Sequence, residues 1–324
     1  MAKRRQLGTT DLQVAPLVLG GNVFGWTISE PDSFKVLDAF TGSGFNFIDT
    51  ADVYSRWKSG NSGGESETIL GNWVKKRSNR SEVLIGTKVG SDMGDGKKGL
   101  TKKYILQAAE DSLRRLQTDY IDLYQTHFDD LSTPVEATLE AYDALIKAGK
   151  VRWIGTSNMS KDRIRESVNT AKQRDLPLYR SLQPEYNLYA RRQYEEEYER
   201  LCVEASLGVI PYFSLASGFL TGKYRSAADF SKSARGGGMK KYMDDRGMAI
   251  LSAMDTVAAR HQTDLAAVAI AWLLARPSVT APIASATSVE QLATLTKATR
   301  LELTKDDVAE LDRASDWKQA PVAG

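Results

Sequence analysis

The segment 44–54, GFNFIDTADVY, passes within a few positions from aromatic and aliphatic residues to acid, hydroxyl and phenol, presenting Asp49, Asp52 and Tyr54. Two later apolar runs finish in the same manner: EVLIGTK closes on Lys88 and IDLYQTH on His127. Brought together, Asp49, Tyr54, Lys88 and His127 could transfer a proton. An ammonium a few ångströms from a phenol favours the phenolate and can lower the phenol's pKa from about 10 by roughly 1–3. Such a tyrosine donates a proton near neutral pH. A carboxylate beside the lysine would keep it charged and in place, and a histidine would orient a substrate oxygen. Taken singly, Asp49 or Lys88 reads equally well as half of a structural ion pair, and His127 as a satisfied core histidine. The four together favour a site.

Neighbouring candidates read differently. Asp52 is expected to cap the turn before the next helix, and His261, in AARHQTD, to sit at a helix end on the surface. The chain has two histidines, without ligand spacing, so no metal site is expected. Gly94, Gly96 and Gly99 satisfy G-x-G-x-x-G, but the preceding strand ends several residues earlier, near Lys88, and lysines fill the variable positions. This reads as a β–α loop, not a dinucleotide fingerprint. GFLTGKY has too few residues between Gly218 and Gly222 for a nucleotide-triphosphate loop. Glu195, Glu196 and Glu197 read as a solvated helix face. Thr287 with Glu290, or Ser288 with Gln291, reads as a capping box whose helix N-terminus could also hold an anion.

The elements that would carry these groups follow from periodicity. Eight short apolar or β-branched runs recur: VAPLVLG, FNFI, EVLIGTK, IDLYQTH, RWIGTSN, YRSLQ, GVIPYF and VTAPIA. Between them lie stretches with apolar residues at helical spacing, 31–42, 64–77, 101–117, 134–149, 160–174, 192–206 and 247–275. Pro134 after Ser132-Thr133 falls in a first turn, and Thr304 with Asp307 forms a capping-box pair. Strand–helix alternation along a whole chain implies a parallel sheet, and eight units can close into a (β/α)8 TIM barrel; an open doubly wound sheet is the competing arrangement. RRQLGTTDLQVAP predicts an N-terminal β-hairpin plugging the barrel's N-terminal end, and extra helices follow the last strand. The Gly-rich, basic segment 226–245 is predicted to be a mobile loop. One domain over residues 1–324 is expected.

A parallel barrel gathers its site just past the C-terminal ends of its strands. Those positions hold Gly20, Gly21 and Asn22, then Asp49 and Tyr54, Lys88, His127, Ser157-Asn158, Gln183, Tyr212 and Ser285-Ala286-Thr287. The long polar loop after Tyr54, SRWKSGNSGGESE, is placed to shape a substrate mouth with Trp57, unless that ring packs beneath the loop.

Composition narrows the function classes. Lys and Arg number 43 against 41 Asp and Glu, spread along the chain, which does not suit a nucleic-acid binder. No apolar run approaches the roughly 20 residues that span a bilayer. The start MAKRRQLG lacks the apolar core of a signal peptide, and the single cysteine, Cys202, cannot form an internal disulfide. A cytoplasmic protein is expected.

The ordered stretches FIDTADVY, GGESETILG, IGTKVG, YIDLYQTHFDD, VRWIGTSN, SLQPEYNLY and SLASGFLTGKY resemble the aldo-keto reductase superfamily, from Arg5 to Leu295. The nearest branch is bacterial-type, related to channel beta-subunit-like proteins. The resemblance implies a (β/α)8 barrel that holds a nicotinamide cofactor without a Rossmann domain, with Asp49, Tyr54, Lys88 and His127 as catalytic tetrad. It further implies that Ser157, Asn158 and Gln183 hold the carboxamide and that Tyr212 stacks on the nicotinamide. The pyrophosphate would lie under Ser214, Leu215, Ser217 and Lys223, with Arg235 closing over it, while Gly21, Asn22 and Asp49 line the cofactor from the first two strands. Thr287 and Gln291 would face the adenosine end. Many members carry a basic residue or a Glu-Asn pair there; the neutral lining here leaves NADH open, and Lys223 and Arg235 incline the expectation to NADPH.

The implied activity is reduction of an aldehyde or ketone, a small-molecule carbonyl substrate. Two other readings stand beside it: a Schiff-base lysine at position 88 in an aldolase-like barrel, and a cofactor-sensing regulatory subunit with weak turnover. Sugars, steroids, short aldehydes and other ketones all suit the motifs, because specificity lies in loops. Oligomeric state is not legible.

Overall fold

The structure, a computed structural model, describes residues 3–232 and 236–319. Strands β1 (Arg5–Gln6) and β2 (Gln13–Val14) pair antiparallel as a hairpin. There follow β3 (Val18–Gly20), α1 (Glu30–Gly42), β4 (Phe47–Asp49), α2 (Glu65–Arg77), β5 (Leu84–Val89), α3 (Lys102–Leu116), β6 (Ile121–Thr126) and α4 (Val135–Lys147). The alternation continues through β7 (Val151–Ser157), α5 (Lys161–Arg174), β8 (Ser181–Gln183), α6 (Glu199–Glu204), β9 (Gly208–Val209), α7 (Asp245–His261), α8 (Leu265–Leu274) and β10 (Ile283–Ala284). Helices α9 (Val289–Ala298) and α10 (Lys305–Ala314) complete the chain's main elements.

Strands β3 to β10 form one parallel sheet of eight, in the order β10-β3-β4-β5-β6-β7-β8-β9. Its ends meet: Thr280 N donates to the Val209 carbonyl at 2.8 Å and Ile283 N to the Pro211 carbonyl at 2.9 Å. The sheet is therefore a closed (β/α)8 barrel, and the eight apolar runs of the sequence supply its strands.

Alternation along the strands separates two cores. Val18, Phe47, Leu123 and Ile210 fill the barrel interior, where Leu7, Leu12 and Val14 of the hairpin join them and close the N-terminal end. Their neighbours Leu19, Ile48, Ile85 and Tyr124 belong to a second core with helix residues such as Leu37, Leu70, Trp73 and Ile105. Strands buried on both faces read as continuous apolar runs. That is why no polar–apolar alternation marks them in the sequence.

Helix starts obey local chemistry. Ser29, Thr101, Ser160 and Asp244 accept bonds from the backbone N–H three residues on, and Thr304 with Asp307 makes the predicted capping box. One expectation needs correction. The stretch 247–275 is two helices, because Gln262 turns left-handed (φ 50°) and the second starts after Asp264. The described parts of segment 226–245 include short 3-10 turns, Ala227–Lys232 and Gly236–Tyr242, with Met239 and Tyr242 buried in the outer core.

Candidate active site

Strand register brings the polar residues to one level. Gly20 lies beside Asp49, Asp49 beside Gly86, Lys88 beside Gln125, and Ser157 beside Gln183. Small residues make room for the long ones: a Cβ on Gly155 would sit 2.2 Å from Ser181 Oγ and 3.2 Å from Gln125 Cγ.

At the centre, Lys88 Nζ donates to Asp49 Oδ2 at 2.6 Å, to the Thr50 carbonyl at 2.7 Å and to the Tyr54 hydroxyl at 3.2 Å. All three ammonium protons are thereby used. Asp49 Oδ1 accepts from Gln183 Nε2 at 2.9 Å and from Gln125 Nε2 at 3.2 Å. The turn after β4, closed by Tyr54 N on the Ala51 carbonyl, folds the phenol back over the lysine. His127 follows β6, its ring edge-on to Tyr54 with centroids 5.9 Å apart. Its Nδ1 shares a hydrogen bond of 2.9 Å with Ser91 Oγ.

Charge follows from this geometry. Burial pulls the Lys88 ammonium down, but Asp49 and Tyr54 outweigh it and hold the pKa above its ordinary value. Burial pushes Tyr54 up; Lys88 opposes that without overcoming it, so the phenol titrates above the ordinary tyrosine value. Lys88 lowers the tyrosine as expected, but desolvation of the phenolate, with the charge of Asp49 beside it, exceeds that attraction and leaves the net value raised. Burial first, and then Lys88, keep His127 well below its ordinary pKa, as a neutral imidazole.

Around this centre the rim residues are linked to one another. Ser157 Oγ donates to the Gln183 carbonyl, Asn158 Nδ2 to the His127 carbonyl and to Ser157 Oγ, and the Tyr212 hydroxyl to Asn158 Oδ1. Asn22 Oδ1 accepts from Ser285 Oγ at 2.6 Å, joining the first and last strand ends beside Gly21. Ser214 Oγ is buried and donates to the Ile283 carbonyl, so it bonds within the barrel wall. After β9 the backbone turns left-handed at Phe213, Ala216, Ser217 and Gly218, next to Leu215. Such turns make a concave run of amides that suits an anion, and the exposed Lys223 has its Nζ near Gly218. Amides, a lysine, an amide–hydroxyl cluster and the Tyr212 ring form a donor set that fits a nicotinamide dinucleotide.

Gln291 departs from expectation. Ser288 caps α9, but the Gln291 side chain accepts from Thr287 N and Oγ1, one residue earlier than a capping box requires, and the Thr287–Glu290 pairing does not form. Arg235 lies outside the described residues. Asp52 caps no helix, since α2 begins at Glu65 after Gly64; its carboxyl is buried with neither oxygen hydrogen-bonded. His261 sits at the end of α7 on Asp307. Glu196 and Glu197 are exposed, whereas Glu195 accepts from Tyr186 and Arg191. The Gly94–Gly99 segment is a turn between β5 and α3.

Sequence reasoning missed Gln125, Ser91 and Glu65. Gln125 had a signal, an amide two residues before His127 inside an apolar strand. Ser91 had none. Glu65 accepts from the amides of Ser55, Ser62 and Gly63 and so holds the loop after Tyr54.

This arrangement has counterparts. Residues 16–316 match the aldo/keto reductase family. The chain belongs to the aldo/keto reductase family. This reductase is 32% identical over 334 residues to "Protein tas" of Escherichia coli (strain K12), covering 94% of each chain. It is 34% identical to "Uncharacterized oxidoreductase YrpG" of Bacillus subtilis (strain 168), over 93% of this chain and 92% of the relative. It is 33% identical to "Probable voltage-gated potassium channel subunit beta" of Arabidopsis thaliana, over 89% and 88%. The reductase is accordingly an oxidoreductase that works with a nicotinamide cofactor. Among its described residues no helix is long and apolar enough to cross a membrane.

Proposed function

We propose that the protein reduces an aldehyde or ketone to the alcohol in the cytoplasm, as one catalytic unit over residues 1–324. Tyr54 is the general acid and NADPH the preferred cofactor over NADH. The observation that carries this reading is the 3.2 Å contact of Lys88 Nζ with the Tyr54 hydroxyl, backed by Asp49 at 2.6 Å.

The reduced nicotinamide, when bound, supplies the hydride that the carbonyl carbon gains. Tyr54 gives its proton to the carbonyl oxygen as negative charge develops there. With its pKa held above the ordinary value the phenol is fully protonated at neutral pH, so the donor form is always present. Lys88 then stabilises the phenolate left behind, and Asp49 fixes Lys88 in position. Neutral His127 offers Nε2 to the substrate oxygen while Ser91 engages Nδ1. Ser157, Asn158 and Gln183 hold the carboxamide and Tyr212 the ring face. Ser214, Leu215, Ser217, Lys223 and Arg235 meet the diphosphate, and Thr287 and Gln291 the adenosine end. Lys223 and Arg235 are the residues that favour NADPH. A lysine nucleophile is disfavoured, because an amine attacks through a lone pair and Lys88 is a fully bonded, buried ammonium.

Single-turnover reduction by Tyr54→Phe is the test. A fall of about 10²–10⁴-fold is expected from loss of a general acid; a wild-type rate would remove Tyr54 from the role. Calorimetric titration with NADPH and with NADH tests the cofactor, tighter NADPH binding being expected.

A cofactor-sensing regulatory subunit is the second reading, favoured by the relative named as a channel beta subunit. Tight cofactor binding without turnover of any carbonyl, together with a recoverable protein partner, would replace the first reading by this one.

A further inference from the structure

Ser91 lies two residues past the end of β5, and its side chain reaches the end of the next strand. His127 N donates to the Val89 carbonyl at 2.8 Å, which fastens the two strand ends together. Between Val89 and Ser91 the chain turns at Gly90, with φ 111°, and a Cβ there would stand 3.0 Å from Leu100 Cδ2 and 3.1 Å from the Phe128 carbonyl oxygen. A positive φ in so crowded a place calls for glycine. The turn delivers the Ser91 hydroxyl to His127 Nδ1 at 2.9 Å, with both side chains buried.

A neutral imidazole carries one N–H, and the partner of one ring nitrogen decides which of the two holds it. If Nδ1 bore the proton, Ser91 Oγ would accept it, and the hydroxyl proton would need an acceptor of its own. Among the described residues, Nδ1 is the one hydrogen-bond partner of that hydroxyl, and Ser91 is 7% exposed. This arrangement strands a buried donor, which is costly. With the proton on Nε2, the hydroxyl donates to the Nδ1 lone pair and nothing is stranded. Nε2 then meets a carbonyl oxygen as a donor, whereas the other tautomer would set lone pair against lone pair.

We propose that Ser91 is a positioning residue of the reduction: its hydroxyl donates to Nδ1 and so keeps the His127 proton on Nε2, where it hydrogen-bonds the substrate oxygen. Ser91 acts through His127 and has no part in the proton transfer from Tyr54. The tautomer follows from the ring's own partner; its effect on rate rests on the carbonyl-reductase reading.

The test is a long-range proton–nitrogen correlation spectrum of the full chain carrying isotope-labelled histidine. The chain has two histidines, so the spectrum of His261→Gln assigns both rings. The parent should show the His127 proton on Nε2 and an unprotonated, hydrogen-bonded Nδ1. In Ser91→Ala the Nδ1 signal should move toward that of an unbonded lone pair, and Ser91→Thr should restore it. In single-turnover reduction of para-nitrobenzaldehyde with NADPH, Ser91→Ala should be slower by about tenfold, the worth of one misdirected hydrogen bond, and Ser91→Thr should come within about threefold of the parent. A His127 proton on Nδ1 in the parent overturns the assignment. So does a Ser91→Ala rate equal to the parent's, or a loss that threonine does not recover, which would mark a packing role. Absence of turnover for para-nitrobenzaldehyde, propanal and erythrose overturns the reductase reading, while the spectrum still decides the tautomer.

Discussion

Lys88 Nζ and Asp49 Oδ2 stand 2.6 Å apart with the lysine wholly buried and the aspartate side chain 3% exposed. A pair so desolvated stabilises little relative to a hydrophobic substitute, but breaking it leaves a bare charge in a dry site. Lys88→Met should therefore unfold in urea with a stability loss of about 3–5 kcal/mol. Adding Asp49→Asn to that variant should recover part of the loss. A double variant no better than the single one would show that the charge on Asp49 is compensated elsewhere, by Gln125 and Gln183.

The catalytic pH profile follows from two shifts of opposite sign. On the proposed mechanism reduction needs Tyr54 protonated and His127 neutral; burial raises the first pKa and lowers the second. kcat/KM for reduction should be flat through neutral pH, falling only above the ordinary tyrosine range and well below the ordinary histidine one. Stopped-flow measurement across pH 5 to 10 should find no limb near 6.5.

Asp52 gives stability its own pH dependence. Burial first, and then the charge of Glu67, raise its pKa to about 8, against the weaker opposition of Arg115, the Val53 amide and Lys88. The unfolded chain gives up this proton near 3.8 and the folded protein near 8. Between those values the folded state binds the extra proton, so this group's contribution to stability falls as pH rises. Asp52→Asn, a neutral near-isostere, should be more stable at pH 8 by roughly 1–4 kcal/mol. Scanning calorimetry should find its Tm advantage shrinking to nothing near pH 4.

Gly71 sets how closely α2 approaches α3. A Cβ there would lie 2.2 Å from the Arg115 carbonyl oxygen, a backbone atom that cannot swing away. Gly71→Ala should gain helix propensity and still lose stability, by about 1–3 kcal/mol or more from overpacking. A chemical denaturation midpoint at or above that of the parent would contradict the close approach.

The order of the elements and the level of the site were both legible in the chain. Short β-branched runs followed by helical periodicity dictate a parallel sheet. Parallel sheets place chemistry at the C-terminal strand ends, where Asp49, Lys88, His127, Ser157, Gln183 and Tyr212 were already visible. The hairpin plug followed from RRQLGTTDLQVAP for the same local reasons. Periodicity joins α7 and α8 into one helix because apolar spacing continues through Gln262, and a single left-handed residue carries no periodic signal.

Sequence by itself determined which residue types arrive at the barrel mouth, because local periodicity and strand order are near-neighbour properties. Tertiary structure alone decided their state. Whether Tyr54 is depressed or raised depends on how completely packing removes water and on Asp49 already spending the charge of Lys88, and neither is written in spacing. The same is true of Asp52, buried with neither carboxyl oxygen hydrogen-bonded two residues before Tyr54, and of Trp57, which lies against Tyr54 in a loop that Glu65 fastens. Burial and contact across the barrel are sums over distant parts of the chain, and only the closed fold performs them.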